Sequence, residues 1–267
     1  MLSKTSRALT YLLALLYALL GAALYVLPET LAPVFAWKVT PFMTMTIGGW
    51  CLANAWLAYV TARRWNWSRV HTTFIYLWLF GVSELIVLLA FRDKLNLAHP
   101  IAWLYLATLI VNALAALLGL ADWIRIRPTI ESNPPFLQPI HHFYAFLFSG
   151  FVAILGVYGV SAQIGAPGTN GGIFPEVMSL FTLRSFAVFY LSIALSSAPY
   201  IWEKSLNAVL HHAYASLPLI ILVAAAAFVY IRLFDFANRP GGLVYIGVYL
   251  LVGIPILFAL RKYGTGK

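Results

Sequence analysis

Eight apolar runs of roughly 20 residues divide this chain: 8–27, 42–62, 71–91, 100–121, 143–162, 179–201, 209–231 and 242–261. About 20 apolar residues is the length an α-helix needs to cross the hydrocarbon of a bilayer. Inside hydrocarbon every backbone N–H and C=O must be paired within the protein, which leaves only helices and closed β-barrels. Barrel strands are about half as long as these runs and alternate with a period of two. The predicted fold is therefore an all-α integral membrane protein with eight transmembrane helices. Pro28, Pro41, Pro100, Pro128, Pro139, Pro175 and Pro240 punctuate the ends of the runs.

Composition agrees. Hydrophobic residues make up 62% of the chain and charged residues 9%, against about 25% charged in a soluble domain. The formal net charge is +9, but the basic residues sit at the ends of apolar runs, where they meet headgroups. The stretch "RRWNWSRVH" (63–71) accordingly reads as an interface belt, and the expected surroundings are lipid and other membrane subunits or copies of the chain, with no nucleic acid. Cys51 is the single cysteine, so no intrachain disulfide forms, and its apolar setting suits packing. Lys4 and Arg7 before the first run resemble the start of a signal peptide, yet "VLPETLAP" offers no cleavage site; an uncleaved first span is expected.

Lysine and arginine are distributed unevenly. Eleven lie on the side that holds both termini and the loops after the second, fourth and sixth runs; six lie on the other. The positive-inside rule then puts both termini in the cytoplasm, in a plasma (inner) membrane.

A phrase also recurs. "FRDKLNLAHPIAWLY" (91–105) returns as "IRLFDFANRPGGLVY" (231–245), with Arg92, Pro100 and Tyr105 reappearing as Arg232, Pro240 and Tyr245 at a shift of 140 residues. His71 returns as His211 at the same shift, and Thr44 pairs with Thr182 at a shift of 138. This pattern predicts two four-helix repeats, 1–127 and 141–267, joined by a proline-rich linker at 128–140. An even number of spans per repeat makes the repeats parallel. The phrase itself reads as anchoring: arginine at a span end, proline opening the next helix, tyrosine near the interface.

Within the spans a few polar groups demand explanation. Glu84 lies deep in the third run, where a charge costs about 2.5–3.5 kcal/mol on insertion scales. It should be paired, protonated or facing a cavity. Arg184, at similar depth in the sixth run, is its expected partner, across the boundary between repeats. Asn54 and Asn112 can hydrogen-bond between helices. The small-residue pairs Gly49/Ala53 and Ala115/Gly119 suit close packing. His71, His141, His142, His211 and His212 share the cytoplasmic starts of the third, fifth and seventh runs. They are candidate metal or haem ligands, or simply headgroup-level residues; no metal or haem motif accompanies them.

Neither a P-loop, a dinucleotide-binding GxGxxG nor a GxSxG elbow is present. Three functional readings follow. The first is a non-catalytic subunit or scaffold within a larger membrane complex. The second is a small-solute or proton-coupled transporter or channel with a site between the repeats near Glu84 and Arg184. The third is an intramembrane enzyme or haem or metal protein using the histidines.

Overall fold

In the computed structural model, residues 1–131, 134–163, 176–238 and 241–263 are described. Pro240 and Arg239 of the repeated phrase, Pro175 with the Gly-rich stretch 164–175, and Lys267 lie outside them. Among the described residues the chain is helical, and eight helices are long: α1 Lys4–Val26, α2 Pro41–Arg63, α3 Trp67–Ala90, α4 Pro100–Ile126, α5 Pro139–Ser161, α6 Leu180–Ser197, α7 Leu206–Val229 and α8 Gly241–Tyr263. Each coincides with an apolar run. Their starts follow local rules. Ser3, Thr40 and Ser179 accept hydrogen bonds from the backbone N–H three residues on, and proline opens α2, α4 and α5, where a missing N–H costs nothing. α7 and α8 run on through Pro218 and Pro255.

Seven of these helices are long and apolar enough to cross a membrane, which makes the chain a multi-pass membrane protein by the length rule. The exception is α2, which the sequence reading expected to be a span. It carries Thr44, Thr46, Thr61 and Asn54, all buried, and nearly its whole surface is covered by protein. A helix that meets protein on every side need not be apolar, because its polar groups find partners there.

Packing explains how α2 is enclosed. α1 lies along it on one flank and α7 on another. α3 packs against α4, α6 and α7; α4 closes back on α1; α5 lies on α6; α8 lies on α7. The α1–α2 crossing is backbone to backbone. A Cβ on Gly21 would stand 2.6 Å from the Leu52 backbone nitrogen and 2.9 Å from the Gly48 carbonyl oxygen; one on Gly48 would stand 2.6 Å from the Tyr25 nitrogen. Gly48 makes this approach, whereas a Cβ on Gly49 would meet Leu222 and Tyr25 at ordinary contact distance, 3.4 Å. Gly119 leaves room for the Trp78 ring, which a Cβ there would meet at 2.4 Å.

Polar clasps fix the ends. Asp122 accepts from Ser3 N at 3.0 Å and Ser6 Oγ at 2.6 Å and pairs with Arg125 at 3.0 Å, tying the end of α4 to the start of α1. Arg7 Nε donates to the Ala62 carbonyl at 2.8 Å. Phe136 bridges to Ser205, and Leu137 N donates to the Lys204 carbonyl at 2.9 Å, so the linker is tied to the loop before α7. Tyr230, just past α7, donates to Glu29 at 2.8 Å; burial, reinforced by that carboxylate, pushes its phenol up to about 12.

The crossing predicts an asymmetry. Replacing Gly48 by alanine sets a methyl group against backbone that cannot swing aside and should cost about 1–3 kcal/mol. Replacing Gly49 by alanine should cost little. Thermal melting of the two variants in the same detergent checks this; equal melting points would refute the crossing.

Candidate functional site

Two polar regions lie inside the bundle. The first surrounds Glu84, which is 2% exposed. Its Oε1 accepts from Tyr105 Oη on α4 and Ser185 Oγ on α6, each at 2.7 Å. Its Oε2 has no partner among the described residues, and neither does the indole nitrogen of Trp50. Both residues line a chamber of about 20 Å³, which Tyr17, Cys51, Trp37 and Thr182 help to close. That is room for a single water. Trp37, from the "FAWKVTPFMTMTIGGW" stretch, covers the chamber by stacking on Phe181 and donating to Thr182 Oγ1 at 3.1 Å.

The expected Glu84–Arg184 pair does not form. Arg184 is half-buried and donates to the Gly159 carbonyl at 2.6 Å. On a helix, adjacent residues point about 100° apart, so when Ser185 faces Glu84, Arg184 turns towards α5. Tyr105 also departs from expectation. It is 5% exposed and serves Glu84 as a hydrogen-bond donor rather than anchoring at the interface. Asn112 donates to Tyr17 Oη at 2.8 Å and presses against Gly81, linking α4, α1 and α3.

The second region lies where α3, α5 and α7 begin. His71 on α3 contacts the Trp67 carbonyl through Nδ1 at 3.1 Å and Glu203 Oε1 through Nε2 at 2.7 Å. A carbonyl only accepts, so Nδ1 carries a proton. The Nε2–carboxylate contact then needs a second proton, shared by the pair. His142 Nδ1 meets the Tyr200 carbonyl at 2.9 Å, and His141 Nδ1 accepts from Gln138 N at 3.0 Å, closing the cap of α5. His211 is 1% exposed, with neither ring nitrogen partnered among the described residues. His212 Nδ1 meets Thr72 Oγ1 at 3.1 Å; Thr72 in turn meets Tyr200 Oη, which donates to the Ala208 carbonyl at 3.2 Å. Four of the five candidate ligands thus engage separate partners, and His211 engages none among the described residues. Among the described residues no three His, Cys, Asp or Glu side chains are gathered as they would be around a metal ion.

His212 also faces a cavity of about 560 Å³ bounded by α2, α3, α5, α6, α7 and α8. Its wall is largely apolar, with Val152, Phe189, Leu219, Ile220 and Val248, and it includes Asn54, Tyr76, Ser197, Tyr200 and Ser216. α5 and α8 flank it without forming a packed interface with each other; their ends meet where the His141 and Tyr263 rings stand 6.4 Å apart. Asn54 is 2% exposed, accepts from Tyr76 Oη at 2.9 Å, and leaves Nδ2 without a partner among the described residues.

Asn54 and Glu84 were legible in the sequence as polar groups in apolar runs. Ser185, Tyr105 and Glu203 were not, since serine, tyrosine and a loop glutamate are unremarkable until a buried partner is seen. Comparison with known protein families, curated proteins and solved structures finds no match in any of the three.

Double-mutant cycles test the Glu84 geometry. Glu84→Gln with Ser185→Ala should show a coupling of about 0.5–1.5 kcal/mol in unfolding stability. Glu84→Gln with Arg184→Leu should be additive within about 0.5 kcal/mol.

Proposed function

We propose that this chain is a non-catalytic, eight-span membrane protein that holds an amphipathic, lipid-like molecule in the cavity between α5 and α8. The observation that carries this is a largely apolar cavity of about 560 Å³ whose wall includes Ser197, Tyr200, His212 and Ser216. Small-molecule sites fall in the range of about 300–1,000 Å³ and combine apolar walls with a few convergent polar groups. The chamber at Glu84 has room for about one water and no ion pair to Arg184, so a solute path there is the weaker reading.

Eight spans follow if α2, which matches α1 in length at 23 residues and lies along it, crosses with it. The duplication is supported by matched packing. α1 on α2 corresponds to α5 on α6, α3 on α4 to α7 on α8, and α2 on α7 to α6 on α3. One counterpart is missing: α4 closes on α1, whereas α8 and α5 form no packed interface. The clasps of the closed seam are Asn112 to Tyr17 and Asp122 to Ser3 and Ser6. At the shift of 140, Asn112 and Asp122 correspond to Val252 and Lys262, and both of those line the cavity. The second half has lost the polar clasps, and the seam they would close is the binding site. With both termini cytoplasmic, as the basic residues suggest, the polar end of the cavity faces the cytoplasmic leaflet.

Gentle extraction followed by native mass spectrometry tests this. The wild-type protein should retain about one lipid-like molecule per chain. Ala213→Trp, which plants a ring in the cavity wall, should lose it while melting normally. Equal retention by both would overturn the reading.

A further inference from the structure

Resting on that cavity reading, we infer that the occupant is an anionic phospholipid of the facing leaflet, with its phosphate at the Lys262 end of the cavity, beside His141, and one acyl chain laid between α5 and α8. Lys262 and His141 share that end because α5 starts where α8 finishes. Both approach Tyr263, whose ring lies 6.4 Å from that of His141 and 5.0 Å from the Lys262 ammonium. All three residues belong to the cavity wall.

Lys262 and His141 both offer donors. An ammonium carries three N–H bonds and no acceptor, and Lys262 makes no ion pair among the described residues. His141 is fixed by the cap of α5, where its Nδ1 accepts from the Gln138 backbone N–H at 3.0 Å. A backbone N–H only donates, so the imidazole proton sits on Nε2. That atom makes no hydrogen bond among the described residues. The described residues of the wall include no aspartate or glutamate. An ammonium beside an N–H donor, with no carboxylate to answer either, favours an anion. The extra cation of a phosphatidylcholine would find nothing there to receive it.

The rest of the cavity suits a chain. Beyond Lys262, α8 lines it with Ala259, Pro255, Val252 and Val248; beyond His141, α5 lines it with Ala145, Phe148 and Val152. Spacings of three and four keep such residues on one helix face. Fourteen residues from Lys262 to Val248 span about 21 Å at 1.5 Å per residue. One leaflet of hydrocarbon is about 15 Å deep, half of the bilayer core, so the slot takes a chain over the full depth of a leaflet. Tyr144, Leu251 and Phe258 of the wall are exposed, and α5 and α8 form no packed interface. The slot therefore opens on the lipid-facing surface, where the molecules at hand are those of the bilayer.

The test uses the full chain in detergent, titrated with dioleoylphosphatidylglycerol, dioleoylphosphatidylcholine and oleate, bound fractions being read by native mass spectrometry. The two phospholipids share acyl chains and phosphate and differ in net charge. Phosphatidylglycerol should bind saturably at one per chain and about fivefold more tightly than phosphatidylcholine, the contribution of one lysine at an anionic head. Lys262→Gln should abolish that preference and leave phosphatidylcholine binding unchanged. Arg261→Gln, at an exposed neighbour outside the wall, should keep it. Equal binding of the two phospholipids, both displaced by Ala213→Trp, would overturn the anionic head and leave the cavity reading intact. Equal loss of preference in Arg261→Gln and Lys262→Gln would overturn the Lys262 site in favour of diffuse surface charge. Tighter binding of oleate than of phosphatidylglycerol would overturn the phosphate head. Absence of saturable binding by all three, or binding that Ala213→Trp does not reduce, would overturn the cavity reading and this inference with it.

Discussion

The bundle is organised around one helix that shows lipid almost nothing. α2 is buried along most of its length, and its enclosure begins at the crossing with α1, where Gly48 and Gly21 bring two backbones together. In a bilayer the tails are as apolar as leucine, so helix association rests on close packing and on hydrogen bonds between helices. A glycine crossing supplies the first. Once α1 and α2 lie in register, Tyr17 reaches Asn112, and Arg7 reaches the Ala62 carbonyl. α4 is then held, and with it Tyr105, whose hydroxyl reaches Glu84.

Polar residues consequently play different parts in different regions of the bundle. Around Asp122, Asn112 and Glu84 they close seams. Asp122 gathers Ser3 and Ser6, Asn112 gathers Tyr17, and Glu84 gathers Tyr105 and Ser185. Each is a buried polar group met by a donor or acceptor on another helix, which is what makes it tolerable away from water. At the cavity wall they are met only in part, since among the described residues His212 is bonded through Nδ1 alone. Unmet hydrogen-bonding capacity away from water costs about 1–3 kcal/mol per group.

Glu84 shows why a deep acid need not mean transport. Its cost is offset by two hydroxyl donors rather than by a cation, and its surroundings are closed by Trp37, Trp50 and Tyr17. Arg184, its neighbour in depth, satisfies itself on the Gly159 carbonyl. Matching charges by depth alone ignores rotation about the helix axis, and one residue of rotation separates Arg184 from Ser185.

The amino-acid sequence by itself determined that this chain is helical and membrane-borne and where its helices fall, because 20-residue apolar runs and the prolines that end them are local properties set by bilayer thickness and backbone chemistry. It also singled out Glu84, Asn54 and Asn112 as polar groups that would need partners. It did not name those partners. Ser185, Tyr105, Tyr17 and Tyr76 become meaningful only when helix rotation aims them, and rotation is set by which glycine lets which backbone approach. The same holds for the cavity. Val252 and Lys262 are ordinary residues of an apolar run and its basic end; only the packing of α5 and α8 makes them the place where a seam stays open.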